Sequence, residues 1–205
     1  MRVINYEQGS DEWRAARTGV ITGTRLKQVL SKTNKSLIYE LIAEQLAPAQ
    51  ETIATTAMER GTDLEEDAIL LWESTTGLEA EQIGFVLHKE HDWLGCSPDA
   101  LVAENKKYIG AVEVKCPDTK THIKYLVEKK IPSEYKAQVI NYFLNVDTLE
   151  WLDFVSYDPR IAVEELQLSV VRVHREDLET EIEDVYEKLL KFRATWEQLQ
   201  EQLIF

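Results

Sequence analysis

Hydrophobic positions along the chain follow two periods. Around Ser36–Leu46, Leu37, Ile38, Leu41, Ile42 and Leu46 recur at helical spacing, with Pro48 beyond the end. A short helix before it is marked by Ser10 as cap, Glu12 in the first turn, and Trp13 and Ala16 facing inward; another starts near Thr22 and carries Leu26, Val29 and Leu30. The segment from Met58 to Gly77 places Met58, Gly61, Glu65, Ala68, Ile69 and Trp72 on one helical side. Period two takes over at Gln82–His88, where Ile83, Phe85 and Leu87 share a face, and again at Tyr108–Lys115. Thr119–Glu128 and Ser133–Val146 then predict two helices split by Ile131-Pro132, the second with Tyr135, Val139, Tyr142, Phe143 and Val146 as its buried stripe. Leu149–Tyr157 and Leu166–His174 predict strands joined through Asp158-Pro159-Arg160, and a last helix of about 176–204 carries Leu178, Ile182, Val185, Leu189, Phe192, Trp196 and Leu199. The pattern predicts one domain over 1–205, of α/β (α+β) class, with helices around a central mixed sheet.

The chemistry concentrates in SPDALVAENKKYIGAVEVKCP, from Ser97 to Pro117. Ile109, Ala111, Glu113 and Lys115 share one strand face, while Val112 and Val114 take the other. Ala100–Ala103 predicts a partner strand, and Asn105-Lys106-Lys107 a connection, so the hairpin brings Asp99 near Glu113. Two carboxylates and an amine at a strand end are the parts of an oxygen-ligand Mg²⁺ site with a cation beside it. A solvated Glu–Lys ion pair is the plain alternative. Cys116-Pro117 ends the strand directly after Lys115, and this terminal position favours the metal site.

Other residues stand out by being polar where the pattern is apolar. Glu65 lies on the helical stripe, which makes it a third acidic ligand, a water-orienting group or half of a buried ion pair. Gln138 lies between Tyr135 and Tyr142, where its amide holds a site water or a ligating carboxylate, or bonds to backbone. Arg17, just ahead of a helix start and beside Thr22 and Thr24, suits an anionic phosphate; a surface arginine near two capping threonines is the alternative. His88, His91, His122 and His174 show no mutual ligand spacing.

Composition narrows the class. Of 205 residues, 44% are hydrophobic, enough for a substantial core. The N-terminus lacks the layout of a signal peptide and no stretch has the length to span a bilayer, so a cytoplasmic protein without a membrane partner is expected. Cys96 and Cys116 suggest neither a disulfide framework nor a Cys-rich zinc site. A net charge of −14 opposes general nucleic-acid binding. The acid is nevertheless concentrated in 61–100 and 161–205, while 101–136 holds eight lysines against five acids. A basic lining within an acidic exterior would confine nucleic acid to a channel.

In order along the chain, EQGSDEW, RTGVITGT, RGTDLEEDA, CSPDAL, VEVKCP, YKAQVINY and YDPR resemble the motifs of lambda-type exonucleases, also called YqaJ-like viral recombinases, within the PD-(D/E)XK nuclease superfamily. The resemblance implies a PD-(D/E)XK core at about 58–146. It implies Mg²⁺, with Mn²⁺ able to substitute, bound by Asp99, Glu113 and the Val114 carbonyl with Glu65 in support. Lys115 would position the attacking water for an in-line displacement, Gln138 would help to hold it, and Arg17 with Thr24 would grip a 5′-phosphate. Thr24 stands where the family often has serine. Also implied are 5′-to-3′ digestion of linear double-stranded DNA to mononucleotides, a 3′ overhang for a single-strand annealing protein, a ring-shaped homotrimer, and a phage or prophage setting in a bacterial host. Other readings are a RecB- or Cas4-type nuclease, a site-specific endonuclease, or a non-catalytic DNA-end-binding subunit that keeps the fold.

Overall fold

Capping and turn chemistry sets many of the element boundaries in the computed structural model, which describes residues 1–47 and 56–203. After strand β1 (Arg2–Ile4), helix α1 (Asp11–Ala16) starts where the Ser10 side chain accepts the Trp13 amide at 3.2 Å. Helices α2 (Gly23–Val29), α3 (Lys35–Leu46) and α4 (Thr56–Thr76) follow, and Gly77, at a φ of 72°, ends the last. Pro48 and the surroundings of Met58 and Gly61 lie outside the described residues. Next come β2 (Phe85–Leu87), β3 (Gly95–Cys96), β4 (Ala100–Glu104) and β5 (Lys107–Lys115). The β4–β5 turn is Asn105-Lys106, both left-handed at 50° and 64°, which matches strand twist in a two-residue hairpin; Lys107, expected in the connection, already pairs with Glu104. Asp118 caps α5 (Thr119–Glu128), and a 3₁₀ turn leads into α6 (Lys136–Asn145). Strands β6 (Trp151–Tyr157) and β7 (Leu168–His174) precede α7 (Glu179–Glu201).

The expected mixed sheet has the order β4-β5-β6-β7, with β5 and β6 parallel and the outer pairs antiparallel. A smaller antiparallel sheet has the order β1-β2-β3, and Glu81, in the segment ahead of β2, bridges to Leu101 of β4. Ala68, Ile69 and Trp72 of α4 pack on one face of the larger sheet, against Val112, Val114 and Val155. The other face, with Ala111, Leu152 and Phe154, shares a core with α2, α3, α6 and α7. Covering both faces buries every residue of β6 and explains its near-continuous apolar run. Among the described residues no helix is long and apolar enough to cross a membrane.

Several boundaries differ from expectation. The strand predicted over Gln82–His88 is confined to β2, and Val86, expected opposite the apolar face, is fully buried. Phe85 and Val86 point to opposite faces of β2 and both are fully buried, so both faces are covered there and alternation is lost. Leu30 and Leu46 end their helices with exposed side chains, and the last helix begins with a 3₁₀ turn at Arg175–Leu178. Leu166 belongs to another such turn ahead of β7.

Buried polar groups tie α4 to the sheet. Asp153, wholly buried on β6, accepts Trp72 Nε1 at 3.0 Å and two bonds from Arg172 of β7 at 2.7 and 2.8 Å. The Arg172 guanidinium also lies 3.7 Å from the Trp151 ring, which in turn covers Gly110, where any Cβ would come within 2.2 Å of the indole. Arg172→Ala would leave a buried carboxylate without its cation and is expected to cost about 3 kcal/mol. Urea unfolding checks this, and a loss below about 1 kcal/mol would show that the network is not what holds α4 and the sheet together.

Candidate active site

The ends of β4 and β5 nearest the smaller sheet gather the acidic residues. Pro98 leads into Asp99, whose Oδ2 accepts the Val114 amide at 2.6 Å, locking the carboxylate across the hairpin. Two residues of β5 place Glu113 and Lys115 on the same face, as alternation predicts, and Lys115 Nζ bonds Glu113 Oε1 and lies 3.1 Å from the Val114 carbonyl oxygen. Glu113 is wholly buried and faces α6. There Gln138 Nε2 donates to Oε1 at 2.6 Å, and the Tyr142 hydroxyl donates to Oε2. Gly23 permits this approach: a Cβ there would come within 2.7 Å of the Gln138 side chain, so α2 packs directly behind the glutamine.

Glu65 arrives from α4, on the opposite face of the sheet, and comes beside Asp99 around its end. Three carboxylates thus share one lysine. Burial, then the Glu113 charge, pushes the Asp99 pKa well above the usual carboxylate range. Burial also raises Glu65, with its interaction with Asp99 acting in opposition. Burial works against the Lys115 charge, but Glu113 and Asp99 outweigh it and hold the amine above its ordinary pKa, so it is protonated near neutrality.

The donors available to a metal ion are the carboxylates of Asp99 and Glu113, the Val114 carbonyl and, behind Asp99, Glu65. This all-oxygen set suits Mg²⁺ or Mn²⁺, and a dication would relieve the repulsion that raises Asp99. Among the described residues no three His, Cys, Asp or Glu side chains could enclose an ion alone. An ion held by one or two carboxylates would complete its shell with water and substrate phosphate, as Mg²⁺ commonly does.

Arg17 lies beside this group. Its Nη1 donates to Ser97 Oγ at 2.7 Å, and its guanidinium lies 4.0 Å from the centre of the Trp13 ring. Burial, then the nearby Arg25, lowers its pKa to about 10. Arg25 is matched by Glu44, which also accepts the Gly19 amide at 2.8 Å, so the turn carrying Arg17 is clasped from α3. Among the described residues Arg17 has no carboxylate partner, which leaves it a half-buried cation suited to an anion. Thr24, expected beside it, is exposed in the first turn of α2 and makes no hydrogen bond to Arg17 among the described residues; Thr22 is buried at the N-cap without a side-chain capping bond.

Ser97 and Tyr142 are contacts that sequence reasoning passed over. Ser97 sits two residues before Asp99, and Tyr142 one helical turn after Gln138 on the same face; the apolar periodicity registers only the ring of the tyrosine and is blind to its hydroxyl. His122, in line with its expected non-ligand status, is buried and bonded through Nδ1 to Ser156 Oγ at 2.7 Å and through Nε2 to the Leu166 carbonyl at 2.9 Å.

Residues 12–146 match the model of the YqaJ-like viral recombinase domain. Among solved structures, the alkaline exonuclease LHK-Exo from Laribacter hongkongensis shares 34% identity at a TM-score of 0.79, over 95% of this chain and 98% of that one. The same protein in complex with dAMP superposes equally well, at a TM-score of 0.79. A phage-related exonuclease from Haemophilus somnus 129PT shares the fold at 18% identity and a TM-score of 0.65, covering 90% of this chain and 96% of the other. No curated protein matches the sequence. With a family model that spans most of the chain and a relative that shares its fold over nearly the full length, the chain belongs to the YqaJ-like viral recombinase family.

Proposed function

We propose that the protein is a metal-dependent deoxyribonuclease that digests the 5′-phosphorylated strand of linear double-stranded DNA from 5′ to 3′, releasing mononucleotides and leaving a 3′ overhang for a single-strand annealing protein. The observation that carries this reading is the convergence of Glu65, Asp99, Glu113, Lys115 and Gln138 beside an arginine that has no carboxylate partner among the described residues. A centre that cleaves a phosphodiester thus adjoins a site that would recognise a terminal phosphate. Likeness to an alkaline exonuclease supports the same class.

Bound Mg²⁺, or Mn²⁺ in its place, would supply a water of lowered pKa and offset the charge that builds on the phosphate. Asp99, Glu113 and the Val114 carbonyl would hold that ion, with Glu65 in support beside Asp99. Lys115, kept protonated by the acids around it, orients the attacking water and donates to the developing charge. Gln138, fixed through one N–H to Glu113, turns the rest of its amide toward that water. Arg17, backed by the Trp13 ring, takes the 5′-phosphate and sets which bond lies over the carboxylates, with the Thr24 hydroxyl at the rim. A homotrimeric ring would place the lysines of 101–136 toward an enclosed duplex and the acidic stretches outward. Such an assembly would act in the cytoplasm of a phage-infected or lysogenic bacterium.

Digestion of linear duplex in Mg²⁺, with 5′-phosphate and 5′-hydroxyl ends compared and closed circles included, tests the reading. Selective loss of the 5′-phosphorylated strand with circles intact is expected; cut circles would point to an endonuclease, and end binding without cleavage to a scaffold. Lys115→Ala is expected to lower kcat by about 10²- to 10³-fold while DNA binding persists, because its charge acts mainly in the transition state. A near wild-type rate would remove Lys115 from the chemistry. Arg17→Ala is expected to abolish the preference for phosphorylated ends, whereas an equal loss on both kinds of end would count against the phosphate pocket.

A further inference from the structure

In the motif EQGSDEW, Ser10 caps α1, and Trp13 backs Arg17 while donating Nε1 to the Gly84 carbonyl at 2.8 Å. Gln8 has a different target. It is an exposed residue, yet both N–H groups of its amide turn inward, one to the Ile83 carbonyl at 3.2 Å and one to the Pro98 carbonyl at 3.1 Å. Ordering a glutamine side chain costs rotamer entropy, and two bonds to distant main chain offset it. The side chain is therefore a tie between the N-terminal segment and the residue just ahead of Asp99.

The two carbonyls stand where two stretches of backbone part. Glu81 and Leu101 exchange N–H···O bonds of 2.7 and 2.9 Å, and a regular antiparallel ladder would next pair Ile83 with Asp99. The pairing stops at an isolated bridge instead, and the Gln8 amide spans the gap. The Pro98 carbonyl belongs to the planar peptide group that ends at the Asp99 Cα, so holding that oxygen fixes the plane from which the Asp99 side chain projects. At the other end of the side chain, Oδ2 accepts the Val114 amide at 2.6 Å. With the backbone and one oxygen both tied, the direction of the second carboxylate oxygen is set.

We propose that Gln8 is a positioning residue for the metal centre: its amide sets the Pro98–Asp99 peptide plane and so aims the second Asp99 oxygen at the ion. This deepens the metal-dependent reading and rests on it. Without the amide, Asp99 keeps only the Val114 bond, the carboxylate can swing about it, and affinity for the dication declines. The phosphate pocket depends on other contacts, the Ser97 hydroxyl and the Trp13 ring, so the preference for phosphorylated ends is retained.

The test uses the full-length protein. Gln8→Met keeps the length of the side chain and removes both N–H groups. In calorimetric titration without DNA, the variant should bind Mn²⁺ about 10-fold more weakly than wild type, the usual scale for losing a group that orients a metal ligand. On linear duplex the Mg²⁺ concentration for half-maximal rate should rise by a similar factor, with KM for the duplex little changed, and excess Mg²⁺ should restore most of the rate. Gln8→Ala, which also removes the stem, should show the same shift and keeps the test open if the methionine packs poorly. A role confined to holding the N-terminal segment down would lower the urea midpoint and leave Mn²⁺ affinity as it was. A folded Gln8→Met protein with wild-type Mn²⁺ affinity, a rate defect that excess Mg²⁺ leaves in place, or a lost preference for 5′-phosphorylated ends with unchanged metal affinity would each overturn the assignment while leaving the nuclease reading intact. A wild-type protein that binds Mn²⁺ but cuts no DNA would overturn the nuclease reading, with Gln8 still judged by the metal titration; one that neither binds Mn²⁺ nor cuts DNA would overturn both.

Discussion

The Glu113 carboxylate is the constraint around which the rest is arranged. It is wholly buried, and an ionised carboxylate in such a place is costly unless each oxygen finds a strong donor. Lys115 and Gln138 meet one oxygen and Tyr142 the other. These partners come from two elements, the end of β5 and the first turns of α6, so their meeting fixes how the helix crosses the sheet. The absence of a Cβ at Gly23 lets α2 close behind Gln138, and the amide is thereby held from the rear. A site with this many fixed donors has little to reorganise when charge moves, which is the property that favours catalysis.

The double-layered packing of the sheet gives the site its third acid. With α4 on one face and α6 on the other, residues from both helices can reach the same strand ends only at the margin of the sheet, and there Glu65 meets Asp99. The opposite face of β6 supplies rigidity: Asp153, Arg172 and Trp72 bind α4 to the two strands beyond β5. The segment after Lys115 is braced separately. Buried Asp158 accepts from Thr119 Oγ1 at 2.6 Å and from Arg160, whose guanidinium also reaches the Pro117 carbonyl at 3.2 Å. Arg160 holds the Asp158 pKa far below the usual carboxylate range, so this brace persists at any pH at which the protein would work. The motif YDPR therefore serves to fix the loop that leaves β5.

Charge is apportioned with equal economy at the other end of the site. Two arginines stand close together, and Glu44 neutralises only Arg25. Arg17 is left with a hydroxyl and an aromatic face, contacts that hold a guanidinium in place without cancelling its charge. A cation kept in this state near three carboxylates would attract an anion beside it while the acids repel the same anion elsewhere.

Much of this was legible in the amino-acid order. Strand alternation is local, so Glu113 and Lys115 had to share a face, and the hairpin had to return Asp99 to their vicinity. Gln138 and Glu65 were conspicuous for the same local reason, as polar groups on apolar helical stripes. What periodicity could not show was the partner of each. That Gln138 faces Glu113 and that Glu65 reaches Asp99 around the sheet margin depend on the crossing of helices distant in sequence. Tyr142 marks the boundary between the two kinds of knowledge: its ring obeys the apolar pattern, and its hydroxyl acquires a role only where packing brings Ser97 and Glu113 together. Sequence by itself determined the strand end, the acids and the amine, because these follow from backbone periodicity; tertiary structure decided which oxygen meets which proton, because hydrogen bonds depend on tenths of an ångström that only the packed core sets.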